Sequence, residues 1–154
     1  MYTKEEISRQ KQAFWTAFGR YMQPVLSADG EQVSWINYKT GISGIQFKMD
    51  VDRSHAKIAI VLLHSNAELQ QMHYSHFVQL RGMLNSALGE EDWNWQAAAP
   101  DAHGKIVSTI SKVLPGVNIH RQEDWGAIIS FLKPRIMALD EFWSMAKYGF
   151  EALG

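Results

Sequence analysis

Three histidines stand close enough in the chain to share a metal ion. His73 and His76 are three residues apart, which places them on adjoining parts of one helix surface. His64 precedes them at the end of an apolar run and can fold toward that helix. Imidazole sites usually recruit a carboxylate or a third well-spaced histidine as well, and His76 falls on an apolar stripe. The simplest reading is a buried, hydrogen-bonded His76 and an exposed His73, so no metal site is assigned. With no cysteine in the chain, thiolate metal sites and disulfides are excluded.

Asp50 and Asp52 raise a second chemistry. Restriction-type nucleases hold Mg²⁺ with an Asp on the second strand of a sheet and a Glu-x-Lys on the third, because phosphodiester hydrolysis needs a metal-bound water and charge neutralisation. Here the strand that would follow, Lys57 to Leu63, carries no acid. Both aspartates therefore read as solvated turn residues. Gly41-Ile42-Ser43-Gly44 is no phosphate loop, since it lacks the Lys-Ser/Thr ending and opens no helix. Ser65 beside His64 reads as part of a capping box, Ser65-x-x-Glu68, and not as a nucleophile. Trp93 and Trp95 have the composition of a base-stacking platform, but they lack basic neighbours, which favours core or interface packing. If the chain holds a small molecule in a pocket between helix and sheet, Trp35, His64 and Tyr74 are its candidate lining residues.

The elements that must position these groups follow from spacing. Thr3-x-x-Glu6 is a capping box, and Ile7, Phe14, Trp15, Phe18, Met22 and Val25 recur at helical spacing, predicting a helix from about Lys4 to about Met22 that ends before Pro24. Val33 to Tyr38 is rich in strand formers. Ile45, Phe47, Met49 and Val51 alternate with Gln46, Lys48, Asp50 and Asp52, the period of a half-buried strand. A polar turn, Asp52 to His55, joins it antiparallel to Lys57–Leu63, whose continuous apolar run predicts an interior strand covered on both faces. Leu69, Met72, His76, Phe77, Leu80, Leu84 and Leu88 predict one helix ending at Gly89. Residues 90–104 read as a connector. Lys105–Ser111 and Val117–His120 read as a hairpin about Pro115-Gly116, and a long helix from Glu123-Asp124 continues across Pro134 with a kink. The expected fold class is α+β: helix, three-stranded antiparallel meander, helix, β-hairpin and long kinked C-terminal helix, in one domain over residues 1–154.

The formal net charge of −1, with basic and acidic residues interspersed, gives no basic stripe of the kind a free-standing nucleic-acid binder shows. The charged N-terminus lacks the apolar segment of a signal peptide, and no apolar run approaches the roughly 20 residues a membrane span needs. A soluble, cytoplasmic protein without a cofactor is expected. Its partner is not legible; a homo-oligomer or a protein partner is open.

Phe14-Trp15, Trp35 ahead of Gly41-Ile42-Ser43-Gly44-Ile45, Trp95, and Glu123-Asp124-Trp125 opening the last helix together resemble the domain-of-unknown-function family numbered 4268. The resemblance spans almost the whole chain and rests on aromatic anchors. It implies a domain found alone or fused behind restriction-endonuclease-like domains, and through that association a role near nucleic-acid processing or defence. Nucleic acid enters as a partner only by this context, and no catalytic residue is carried over. The leading expectation is a non-catalytic binding or interaction module. The alternatives are a small-molecule binder or unrecognised enzyme with a helix–sheet pocket, and a degenerate nuclease.

Overall fold

The computed structural model describes residues 2–154. Helix α1 spans Lys4–Met22, and the Thr3 hydroxyl accepts the Glu6 N–H at 3.1 Å, as the capping pattern predicts. Strands β1 (Ile45–Val51) and β2 (His55–Leu62) form an antiparallel hairpin. The Asp52 carboxylate closes it by accepting from the N–H groups of Ser54 and His55 at 2.8 and 2.9 Å. Helices α2 (Ala67–Gln79) and α3 (Arg81–Leu88) follow, then β3 (Asn94–Pro100) and β4 (Ile106–Pro115), a 3₁₀ turn at Gln122–Asp124, and the long helix α4 (Trp125–Glu151). The sheet is antiparallel throughout, in the order β1-β2-β4-β3. Helix α4 runs through Pro134 as a single element, and the class is α+β.

Several predicted elements differ from those observed. Val33–Tyr38 is not a strand: it bends at Trp35–Asn37, where the Ser34 hydroxyl accepts the Asn37 N–H at 3.1 Å. Its strand-forming residues serve as aromatic anchors, so the expected three-stranded meander reduces to the β1–β2 hairpin. The second hairpin lies earlier than predicted. β3 occupies the expected connector, and Val117–His120 is a turn held by the Ile119 N–H to the Asp52 carbonyl at 3.0 Å. Ala-Ala-Ala-Pro conceals β3 because alanine and proline are poor strand formers, but an edge strand tolerates both. A bulge between Gln96 and Ala99 puts Ala98 at φ 45°, and its N–H donates to the Ser108 hydroxyl at 3.0 Å.

The predicted second helix is two helices that meet at Leu80, with Asn66 and not Ser65 as its N-cap. It also docks by an unexpected face. His73 is fully buried and His76 only half-buried, the reverse of the expectation, while Met72 is exposed. The reason is polar satisfaction. The Gln70 amide donates to the carbonyls of His64 and Ile106 and accepts from the Ser108 hydroxyl at 2.8 Å, and the His73 Nδ1 bonds the Leu69 carbonyl at 2.9 Å. Buried polar groups are tolerated once partnered, so this helix hides Gln70, His73 and Phe77.

All the helices contribute to a core on one face of the sheet, where Ile45, Phe47, Ile58, Ile60, Leu62 and Ile110 meet Phe14, Phe18, Phe77, Leu84, Phe142, Trp143 and Phe150. The opposite face is different. Its cluster consists of Ala59, Val61 and Val107 with Leu63, and among the described residues no helix residue joins it. The expectation that β2 is covered on both faces is therefore corrected. Ala59 and Val61 are shielded by cross-strand neighbours, Lys48 and Gln46 on β1 and Ser111 and Thr109 on β4, and not by a second layer.

Candidate functional site

The segment between α1 and β1 has little regular structure, yet it is tied to α4 at several points. Asp140, 5% exposed, accepts the Ala28 N–H at 2.7 Å and the Tyr38 hydroxyl at 2.6 Å. The Trp143 indole N–H donates to the Thr40 carbonyl at 2.8 Å, and the Trp35 indole N–H donates to the Val25 carbonyl at 3.0 Å. Trp35 stacks on Tyr38 and Tyr38 on Phe47, which meets Trp143 edge-on. Burial first, and then the Asp140 carboxylate that accepts its proton, push the Tyr38 phenol far above its ordinary range. In this arrangement the Tyr38 hydroxyl donates to the Asp140 carboxylate. Asp29-Gly30 makes a turn, with Gly30 at φ 77° and the Ser27 N–H bonded to the Glu31 carbonyl.

Two concave surfaces flank this pinned segment and share Ser27, Asp140 and Ser144. One is a polar cavity of about 410 Å³ whose walls include Tyr38, Lys39, Asp140, Lys147 and Tyr148. The other is an open groove of about 840 Å³ along the outer side of α4, lined by apolar groups such as Leu26, Leu88, Pro134, Met137 and Met145. Leu26 and Met145 are 55% and 59% exposed, and Tyr148, on the polar side, is 69% exposed. Exposed apolar residues gathered on one surface mark interaction sites, whereas single ones do not.

Of the sequence candidates, only Trp35 belongs to this region; it lines the groove from below and is itself almost fully buried. Trp93 is a core residue whose indole N–H donates to Glu90 at 2.7 Å, and Glu90 also pairs with Arg135 of α4. This clamp fastens the residues after α3. Trp95 is half-buried, with Tyr74 edge-on to it and the Arg81 guanidinium 5.1 Å from its ring. The two tryptophans therefore form no common stacking platform. His64 and His73 do come together, buried and stacked with ring centroids 4.3 Å apart. Among the described residues, both ring nitrogens of His64 and Nε2 of His73 have no hydrogen-bond partner. Burial, followed by the neighbouring His73, lowers the His64 pKa. In-plane lone pairs on stacked rings do not converge on one ion, and no group of three or more His, Asp or Glu side chains suited to a metal occurs among the described residues. The Asp52 carboxylate is occupied by the hairpin turn, and Asp50 projects from the sheet's open face, 4.0 Å from the Lys11 ammonium.

The groove had a legible trace that sequence reasoning missed. Pro134, Met137, Ala138 and Met145 make a second apolar line on the last helix, beside the buried line of Ile128, Leu132, Ile136, Leu139 and Trp143. Asp140 is an acid set inside that buried line, which marks it as a group needing an internal partner.

Fold and site define an α+β domain with its helices on one face of an antiparallel sheet and a pinned, cleft-bearing segment on its longest helix. The chain belongs to the family described as a domain of unknown function (DUF4268), whose model matches residues 10–147. No curated protein and no solved structure matches it. No helix among the described residues is long and apolar enough to cross a membrane.

Proposed function

We propose that this domain is a non-catalytic binding module whose recognition surface is the outer side of α4 together with the segment pinned to it. The observation that carries this reading is the open groove in which Leu26 and Met145, both more than half exposed, face solvent from two elements held rigidly together by Asp140. A surface built on a rigid scaffold loses little conformational entropy on binding. The association with restriction-endonuclease-like domains that the family resemblance implies extends the proposal to an accessory role in nucleic-acid processing or defence. The near-neutral charge supports a protein contact over direct nucleic-acid contact. As a test, a photo-reactive side chain is placed at Met145 or at Val113, an exposed residue of β4, in cells that express the full chain. Protein crosslinks are expected from Met145 and not from Val113. Crosslinking from Val113 alone would move the surface to the sheet and end this assignment.

The polar cavity favours a second reading, the small-molecule binder. Its volume suits a ligand of modest size, and Lys39, Asp140, Lys147 and Tyr148 supply charge and an aromatic face. A screen of small polar metabolites by chemical-shift perturbation tests it. Shifts at Tyr38 and Tyr148 that vanish in Lys147→Ala support a ligand site, and a flat response across the library removes it.

A further inference from the structure

His64 and His73 leave three buried ring nitrogens without a partner. The His73 Nδ1 carries its hydrogen, because the Leu69 carbonyl it bonds can only accept, so its Nε2 is a bare lone pair. Cores usually partner such groups. What this core offers the two rings is shape. His73 stacks on His64 and on Phe150, with centroids 4.3 and 6.1 Å away. The His64 ring fills a notch at Gly44, where a Cβ would stand 2.5 Å from it. Gly44, at φ 89°, ends a turn held by three backbone donors: the Ile42 N–H to the Thr40 hydroxyl, the Ile45 N–H to the Ile42 carbonyl and the Leu63 N–H to the Gly44 carbonyl.

A neutral ring suits this setting and a charged one does not. Protonation gives His64 two N–H groups without an acceptor, out of water and beside a second histidine. The titratable groups on the parts of α2 and α4 packed around the pair are Glu68, His76, Lys147 and Glu151. His76 lies against Gly149 and Phe150, and Lys147 stands 3.8 Å from Glu151. The turn and β4 bring uncharged groups, Thr40, Ile106 and Ser108. Among the described residues no carboxylate pairs with either ring. The two histidines differ in their way out. His73 is fully buried on α2, whereas His64 stands on the link between β2 and α2, next to the exposed Ser65 and Asn66.

We propose that His64 is a proton-operated latch on the Gly41–Gly44 turn. Neutral, its ring sits against Gly44 and holds the turn; protonated, it leaves for water and releases it. Thr40, whose carbonyl accepts the Trp143 indole N–H, and Lys147, whose ammonium lies over Gly41, both line the polar cavity. The turn therefore stands behind that cavity, and the latch makes its wall sensitive to acid.

Amide hydrogen exchange of the purified full chain between about pH 7.5 and about pH 5, corrected for intrinsic exchange, tests the proposal. Ile42, Ile45 and Leu63 report on the turn, and Ile58 and Ile60, paired with Lys112 and Ile110, report on the whole sheet. The turn amides are expected to be less protected than the sheet amides, and to lose about tenfold in protection for each pH unit below the ordinary histidine value of 6.5, the slope of one proton taken up on opening. His64→Phe keeps a ring against Gly44 that takes no proton, and is expected to remove that slope. His64→Gln is expected to raise exchange at neutral pH and to show no slope either. Turn amides that exchange only as fast as Ile58 and Ile60, or a slope that persists in both variants, overturn the latch.

Discussion

Two surfaces of this domain lack a covering layer, and they handle exposure in opposite ways. On the open face of the sheet, β1 presents Gln46, Lys48 and Asp50, while β2 presents small groups, Ala59 and Val61, which cross-strand neighbours shield. That face needs little cover: β1 is polar along it and the apolar groups of β2 are small, with Val113 of β4 as an isolated exposed residue. The outer side of α4 is unfinished. It places Pro134, Met137, Ala138 and Met145 beside Leu26 in an open groove. The difference teaches where a partner belongs. An alternating strand places polar side chains on its outer face at little cost, so the apolar residues that α4 keeps on its outer side, among Lys133, Glu141 and Ser144, are a specific feature of this chain.

The contrast breaks most visibly at Asp140. Asp140→Ala strands the Ala28 N–H and the Tyr38 hydroxyl and should lower stability by about 3 kcal/mol, since hydrogen bonds to a buried carboxylate are worth roughly 1.5–3 kcal/mol each before relaxation. Asp50→Ala on the sheet face should change stability by less than about 0.5 kcal/mol. Urea unfolding midpoints compare the two directly. Trp143→Phe keeps an aromatic ring but removes the donor to the Thr40 carbonyl and part of a buried indole, for a loss of about 2 kcal/mol. That variant should also speed amide hydrogen exchange between residues 28 and 40, which distinguishes a loosened pin from a weakened core.

The layer between the two surfaces adds a pH dependence. His64 has a folded-state pKa below its ordinary value of 6.5. Above that value it is neutral in both states and costs nothing. As pH falls below it, the unfolded chain takes up the proton first, so stability declines with acid until the folded-state pKa is passed. Thermal melts at successively lower pH should show this decline, and His64→Gln should flatten it. Equal slopes in both proteins would show that other groups set the acid limb.

The smallest expected effect is the sharpest test of the comparison. Met145→Glu and Val113→Glu should each shift monomer stability by no more than about 0.5 kcal/mol, as surface changes usually do. Only the first should abolish protein crosslinks from a photo-reactive side chain placed at Leu26, across the same groove. A Met145→Glu chain that is several kcal/mol less stable would mean that the groove is part of the core and not a docking surface.

How much of this was legible depends on whether the controlling force is local. Helix α1 and its cap, the β1–β2 hairpin and the passage of α4 across Pro134 could be read in advance, because capping, alternation and an unbroken stripe are properties of neighbouring residues. Val33–Tyr38 misled for the converse reason: its aromatic residues are chosen for contacts with Phe47 and Asp140, far along the chain, and strand propensity registers only their type. β3 was invisible because an edge strand of alanines is held by its partner, β4, and not by its own preferences. Of the candidate site residues, Trp35 alone lies at the groove, and His64 with His73 form a buried stack in place of a ligand set.

By itself, then, the sequence determined the α+β class, the first helix, the hairpin and the long last helix, since each follows from periodicity and caps within a short window. The tertiary structure alone decided which side of α2 is buried, because Gln70 and His73 become acceptable in a core only once Ile106, Ser108 and Leu69 supply their partners. It also decided where the exposed apolar surface lies. A second stripe on α4 can be written in sequence, but whether it is covered depends on what the fold leaves beside it. Here the fold leaves a groove lined by Leu26 and Leu88, beside the segment that Asp140 fastens to α4.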